Sequence, residues 1–333
     1  MTRLGTKAKL IAGTALTWML LAFFPAPLFP LYAQSYPSRP IRVIVPQPPG
    51  GGFDLVARTL AEPLARVMGN PVVVENRPGA GMLVGTEAAA KSEADGYTIL
   101  LGAKPNLAFN AGLYDKLPYD PRGDFVPVGL ATFNPYTLVA RNDLPFNSLK
   151  DILAYARANP GKLTYASAGN GTGQHITAEV TFHLAGVKLT HVPYKGAAPA
   201  YQDLMPGRVD LFFDNSATAQ PHIDGGRVKA IAVSSAERLA ALPNVPTVRE
   251  SGIDFENETW IGYFVRSGTP APIVARLRAD LDKVLAMPEI TAGFEKRGYR
   301  TVRLSAKDTE AMVARDIDKW TQLIRSAGIR AAD

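Results

Sequence analysis

Three consecutive glycines, Gly50, Gly51 and Gly52, follow two prolines and precede Phe53 and Asp54 in the stretch VPQPPGGGFD (45–54). With no side chains in the way, their backbone N–H groups can converge on an anion. Asp54 opens a helical pattern, so the same residues also fit a plain tight turn with Asp54 as N-cap. A second stretch, AGNGTGQH (168–175), repeats the design. It follows Ser167 at the end of an apolar run and puts bare backbone at another helix start. His175 stands in the first turn after this loop, where an imidazole can donate to an anion or bond a neighbouring carbonyl. Two further loops, PYKGAAP (193–199) and DNSAT (214–218), also follow apolar runs and lie along the same edge.

Catalytic chemistry is poorly represented. GNGTGQ is not the dinucleotide fingerprint, no P-loop pattern ends in Gly-Lys-Ser/Thr, and no serine stands in G-x-S-x-G. The four histidines (175, 183, 191 and 222) form no metal-binding pair on one helix, and His183 reads as a partly buried surface residue. No catalytic residue, metal or cofactor is expected.

The elements that must position these loops alternate. Short apolar strands are expected at 41–45, 71–75, 97–102, 163–167, 188–192, 209–213 and 228–233, separated by helical patterns such as DLVARTLAEPLARVM and SLKDILAYARA. This rhythm predicts an α/β fold with mostly parallel sheets and helices on both faces. Ligands of such sheets sit beyond the carboxyl ends of the strands, where helix N-termini point into a crevice. A further strand (259–267) precedes a helical tail. Pro272 suits the first turn of a helix to about Met287, and a last helix runs from about Ala306 to Ser326 before Gly328. Crossings near 135–141 and 259–265 divide the chain into lobe 1 (34–138), lobe 2 (139–255) and a return to lobe 1 (256–333). A double crossover of this kind is a hinge.

The N-terminus reads as a signal peptide over residues 1–33. Arg3, Lys7 and Lys9 lead into the apolar run Leu10 to Phe24, and Ala33 offers a small residue for cleavage before Gln34. Fifteen apolar residues fall short of the roughly 20 a spanning helix needs. The full chain has 36 Lys+Arg and 30 Asp+Glu, but three of the cations lie in this leader, so the remainder has a net charge of only +3. No basic cluster interleaved with aromatics appears, and nucleic acid is excluded as a partner. The absence of cysteine excludes disulfides, thiol chemistry and an acylated N-terminal cysteine. About 300 residues suffice for a core without them.

The ordered series YPSRPIRVIVPQPPGGGFDLVAR, VVVENRPGAG, DGYTILLG, KLPYDP, YASAGNGTGQH, HVPYKGAAPA, DLFFDN and LPNVPTVRESG, from about Tyr36 to Ile329, resembles the Bug/TctC family. These are the extracytoplasmic solute-binding proteins of tripartite tricarboxylate transporters. The resemblance implies a type II periplasmic-binding-protein fold, with two lobes joined by two crossing strands. It implies a monomer in the periplasm whose cleft takes a small carboxylate, and a permease of one large and one small membrane subunit as partner. It also implies that the carboxylate is held by backbone amides, hydroxyls and ordered water. The positions that match the family's cleft loops are Gly51, Gly52, Phe53 and Asp54; Ser167, Gly169, Asn170, Gly171, Thr172 and His175; Tyr194, Lys195 and Gly196; and Asp214 and Asn215. Asp214 can face a carboxylate only if protonated or bridged by water, and otherwise suits an amine or hydroxyl.

Two departures stand out. Relatives commonly carry a small or hydroxylated residue in place of Phe53, which stacks on an aromatic ring, shrinks the pocket for a short acid, or points into the core of its lobe. They carry a Ser/Thr-rich turn in place of GAKPNLAFN (102–110), where Lys104 either supplies a cation to a second carboxylate or is solvated. A sensor subunit feeding a two-component system is the alternative to transport. A neighbouring sensor kinase gene would favour it, and a gene pair for a large and a small membrane protein would favour transport.

Overall fold

The computed structural model describes residues 36–331, so the expected leader and its cleavage point lie outside the described residues. The chain runs β1 (Ile41–Val45), α1 (Gly52–Met68), β2 (Val72–Asn76), α2 (Leu83–Ala90), β3 (Thr98–Ala103), α3 (Asn110–Leu113), β4 (Phe125–Ala140), α4 (Leu149–Ala158), β5 (Thr164–Ser167) and α5 (Gly173–Leu184). It continues through β6 (Thr190–Pro193), α6 (Ala197–Leu204), β7 (Leu211–Asn215), α7 (Ser216–Asp224), β8 (Lys229–Val233), β9 (Glu258–Arg266), α8 (Ala271–Leu285), α9 (Pro288–Glu295), β10 (Arg300–Thr301) and α10 (Ala306–Ser326).

The β-branched run IRVIV makes β1, which is buried except at Arg42 and pairs in parallel with β2 on one side and β3 on the other. The strand order is β2-β1-β3-β9-β4-β7-β5-β6, with β8 and β10 attached to β4. Pairing is parallel within β2-β1-β3 and within β7-β5-β6. The strands between these two groups run antiparallel: β9 against β3, and β4 against both β9 and β7. The expected α/β class is therefore present, and every antiparallel pair includes one of the crossing strands β4 and β9.

One of those crossings is longer than the sequence suggested. β4 is a single 16-residue strand. Its first part, from Phe125 to Pro135, pairs with β9, and its last part, from Tyr136 to Ala140, pairs with β7. Two shifts of register, near Pro127/Gly129 and Leu130/Thr132, bend it on the way. Both groups of strands thus share one continuous backbone.

Helix α1 shows how the pattern becomes packing. Phe53, Val56, Ala57, Leu60 and Leu64 recur at helical spacing and are all buried, while Arg66 and Glu62 face outward as an ion pair. On β7, alternation sends Phe213 into the main core with Leu138, Trp260 and Trp320, and Phe212 into a second cluster with Tyr201 and Leu204. α10 closes the main core through Trp320, whose ring lies 4.6 Å from that of Phe109. Among the described residues, no helix is long and apolar enough to cross a membrane.

Candidate functional site

The first glycine loop ends at Gly51, the N-cap of α1, whose backbone is extended and which supplies no side-chain cap. The opening amides of a helix have no intrahelical partner, so the backbone around Gly51, Gly52 and Phe53 presents N–H groups and the positive end of the helix dipole. Asp54 is not the N-cap. It is buried, and its carboxylate accepts from the Gly50 N–H at 3.0 Å, from Arg58 Nε at 2.9 Å and from Asn76 Nδ2 at 3.0 Å. Burial opposes its charge, but Arg58 and the two N–H donors outweigh burial and hold the carboxyl below the usual range. Asp54 pins the loop from behind, and one of the three glycine amides is consumed in doing so. Phe53 lies on the buried face of α1, the core-directed alternative for that residue.

The second loop is built differently. Thr172 is the N-cap of α5: its Oγ1 accepts from the His175 N–H at 3.4 Å and donates to the Gly169 carbonyl at 2.7 Å. Gly171 takes a left-handed conformation (φ +74°), open to glycine at little cost, and its N–H donates to His175 Nδ1 at 3.2 Å. His175 therefore neither offers a proton to an anion through Nδ1 nor bonds a carbonyl there; it accepts a backbone amide. Its ring stacks on His191 at 4.1 Å, and His191 stacks on Tyr165 at 4.9 Å. Burial, reinforced by His191, pushes His175 down to about 3, and burial pushes His191 down to about 4. Both rings are neutral near pH 7. Ser167 is fully buried, with Oγ 2.7 Å from His191 Nε2 and accepting the Gly169 N–H at 3.2 Å. Asn170 is the exposed residue of this loop.

In the third loop Lys195 is exposed, Gly196 caps α6, and the Tyr194 hydroxyl donates to Asp203 at 2.9 Å. Burial and Asp203 push that phenol up to about 12. The fourth loop is not a loop at its start. β7 extends two residues further than its apolar run suggests, so Asp214 pairs with Thr137 and Asn215 with Tyr136 before α7 begins. Asp214 is fully buried. Its Oδ1 accepts from Gln174 Nε2 at 3.2 Å, while Oδ2 has no hydrogen-bond partner among the described residues. Burial pushes this carboxyl up to about 7.

The structure brings the first loop and the end of β7 together. A Cβ on Gly52 would lie 3.7 Å from Asn215 Nδ2, so only glycine leaves that space open. The second loop meets other segments: Gly171 lies against Leu113 and Asn110, and a Cβ on Gly81 would come 3.8 Å from the Asn170 carbonyl. Lys104 is neither a solvated lysine nor aimed at a second carboxylate. It is buried, 3.4 Å from Asp316 and 3.2 Å from Asn257 Oδ1, and lies over the Trp320 ring. Burial lowers its pKa, with Asp316 acting in the opposite direction. His183 is exposed, and no group of three or more metal-ligating side chains occurs among the described residues.

Sequence reasoning missed Tyr299, whose hydroxyl would lie 2.8 Å from a Gly52 Cβ. It stands far from every glycine loop in the sequence, and the only signal is its own short turn, RGYR (297–300).

The chain is similar to known proteins over most of its length. Residues 56–329 match the family described as the tripartite tricarboxylate transporter family receptor, TctC. A Rhodopseudomonas palustris protein solved with adipate superposes with a TM-score of 0.83 at 33% identity, over 89% of this chain and 99% of that one. The periplasmic binding protein BugD gives 0.81 at 37% identity, over 89% and 99%. MatC from Rhodopseudomonas palustris, solved with malate, gives 0.81 at 32% identity, over 87% and 100%.

Proposed function

Because the chain belongs to the tripartite tricarboxylate transporter receptor family, whose members are solute-binding receptors and not enzymes, we propose that it captures a small carboxylate between two lobes in the periplasm. It then delivers that solute to a permease of one large and one small membrane subunit. The observation that carries this reading is the meeting of the α1 N-terminus with Asn215: uncapped helix amides and a side-chain amide face one point from two different groups of strands. Adipate and malate, held by two relatives, are both dicarboxylates.

Hydrogen bonds to a charged group contribute roughly 1.5–3 kcal/mol each, and a helix N-terminus adds about 0.3–1 kcal/mol. A few amides therefore hold a carboxylate without an arginine and still release it. In this reading residues 34–138 and 256–333 form one lobe and 139–255 the other, with β4 and β9 as the hinge. Gly51 and Gly52 make the first wall. The loops carrying Asn170, Thr172, Lys195 and Gly196 make the second, and Ser167, Gly169, Gly171, His175 and Tyr194 hold those loops in shape. The leader ends near Ala33, which the intact mass of exported protein checks.

The test is a thermal-shift screen of mono-, di-, tricarboxylic and aromatic acids, followed by solution X-ray scattering. An acid at a hundredfold excess over its dissociation constant stabilises the protein by about 2.7 kcal/mol, and the radius of gyration falls as the lobes close. No shift with any acid would sink the receptor reading. Binding with an unchanged scattering curve would remove the hinge.

A further inference from the structure

The carboxylate reading leaves one polar group next to the first loop without a role. Tyr299 is only 3% exposed, and its hydroxyl takes part in none of the hydrogen bonds among the described residues. Its position is fixed from behind: the Tyr299 N–H donates to the Phe294 carbonyl at 3.0 Å, and the two rings sit 6.0 Å apart. Gly298 before it takes a left-handed conformation and lies against Ala217 of α7. The ring is thus wedged between the turn after α9 and the start of α7, with its hydroxyl end at Gly52.

The hydroxyl is not one of the fully buried polar atoms left without a partner, so its donor is open to an incoming group and not sealed in the core. At the same point stand the opening amides of α1, a 17-residue helix, and Asn215 Nδ2. These are donors, and Asp214, whose charge bears on the Tyr299 phenol, accepts from Gln174 through Oδ1. A cluster of donors with a helix N-terminus fits an anion.

Resting on the receptor reading above, we propose that Tyr299 is a ligand-binding and specificity-determining residue whose hydroxyl donates to the solute carboxylate at the N-terminus of α1. Burial, together with the nearby Asp214, raises the phenol pKa, so the proton to be donated is retained across the physiological range. The C-terminal segment thereby enters the site, and Gly52 is required because any side chain there would occupy the place where hydroxyl and carboxylate meet. A neutral ester or amide of the same acid gains less from this donor than the ionised acid, since charge-assisted hydrogen bonds are about twice as strong as neutral ones.

Calorimetric titration of malate, adipate, citrate and benzoate into the protein and its Tyr299→Phe variant tests this. Tyr299→Phe keeps the ring and removes only the hydroxyl. The expected result is an affinity about tenfold to a hundredfold weaker for each acid the wild type binds, with an acid-free melting temperature equal to or above that of the wild type. Equal affinities overturn the assignment of Tyr299 while leaving the receptor reading intact. A melting temperature lowered by several degrees without acid assigns the hydroxyl an internal structural bond and also overturns the proposal. If the wild type binds none of the four acids, the carboxylate reading falls and takes this inference with it.

Discussion

The two glycine loops look alike in sequence and differ in what their backbones leave free. At 50–54 the chain is pinned from behind by the Asp54 carboxylate, the helix has no side-chain cap, and the amides at its start face Asn215 and Tyr299. At 168–175 the chain has closed on itself: Thr172 caps the helix, His175 takes the Gly171 amide, and Ser167 takes the Gly169 amide. A glycine-rich helix start is an anion cradle only where its donors are uncommitted. The second loop is a shaped wall that presents Asn170.

Substitutions in the two loops should therefore report in different currencies. Gly51→Asp is the largest expected effect on binding. Nothing lies closer than 3.6 Å to a Cβ there and the backbone is already extended, so the new side chain fits. Aspartate is also a good N-cap, and it occupies the amides with its own carboxylate. Affinity for any acid found in the screen should fall at least about a hundredfold, while the urea midpoint holds or rises. Gly173→Ala should do the reverse. Its Cβ would stand 1.8 Å from the hydroxyl oxygen of Tyr136, which is buried and bonded to Thr259. The variant should lose about 1–3 kcal/mol of stability with no ligand present. Unchanged binding in the first variant, or wild-type stability in the second, would erase the distinction between the loops.

Acidity sharpens the comparison further. The depressed pKa values of His175 and His191 mean that the unfolded chain binds more protons than the folded one between about pH 6.5 and 4. Stability present above pH 6.5 is therefore lost on acidification through that window. Asp214 acts with the opposite sign. Its carboxyl, raised from 3.8 to about 7, keeps its proton in the folded state, so stability is lost as pH rises from 3.8 towards 7. Urea midpoints measured at pH 4.5, 5.5, 6.5 and 7.5 should climb more steeply in Asp214→Asn than in the wild type. Parallel curves would mean that Asp214 ionises as an ordinary surface carboxyl does.

The smallest effect belongs to the third loop. Lys195 is exposed and makes no ion pair among the described residues, so Lys195→Ala should weaken binding by about threefold or less, and the difference should vanish at high salt. A loss comparable with that of Gly51→Asp would move the centre of the site to this loop.

The β/α rhythm was legible in the sequence because it is local: the IRVIV strand, the final helix from Ala306 to Ser326 and the glycine loops are all written in neighbouring residues. What was illegible depends on distant partners. Asp54 looked like a cap because its engagement with Asn76, 22 positions away, has no local signature. Lys104 looked solvated or ligand-directed because its partner Asp316 lies on the last helix. Asp214 and Asn215 were read as loop because the apolar run ends before them, whereas pairing with β4 carries the strand on. Tyr299 carried no motif, and only the missing side chain of Gly52 reveals what its hydroxyl faces.

The unbroken strand from Phe125 to Ala140 has a kinetic consequence. Its partner β9 begins at Glu258, more than a hundred residues downstream, and β7 and β8 are fastened to its other end. The β2-β1-β3 group cannot join β4 until this later partner arrives, whereas the β7-β5-β6 group pairs with β4 without it. Assembly must wait on long-range loop closure, which favours slow folding with high contact order. Truncation before β9 should therefore leave the β2-β1-β3 group detached from β4, while the pairings of β4 with β7 and β8 can still form.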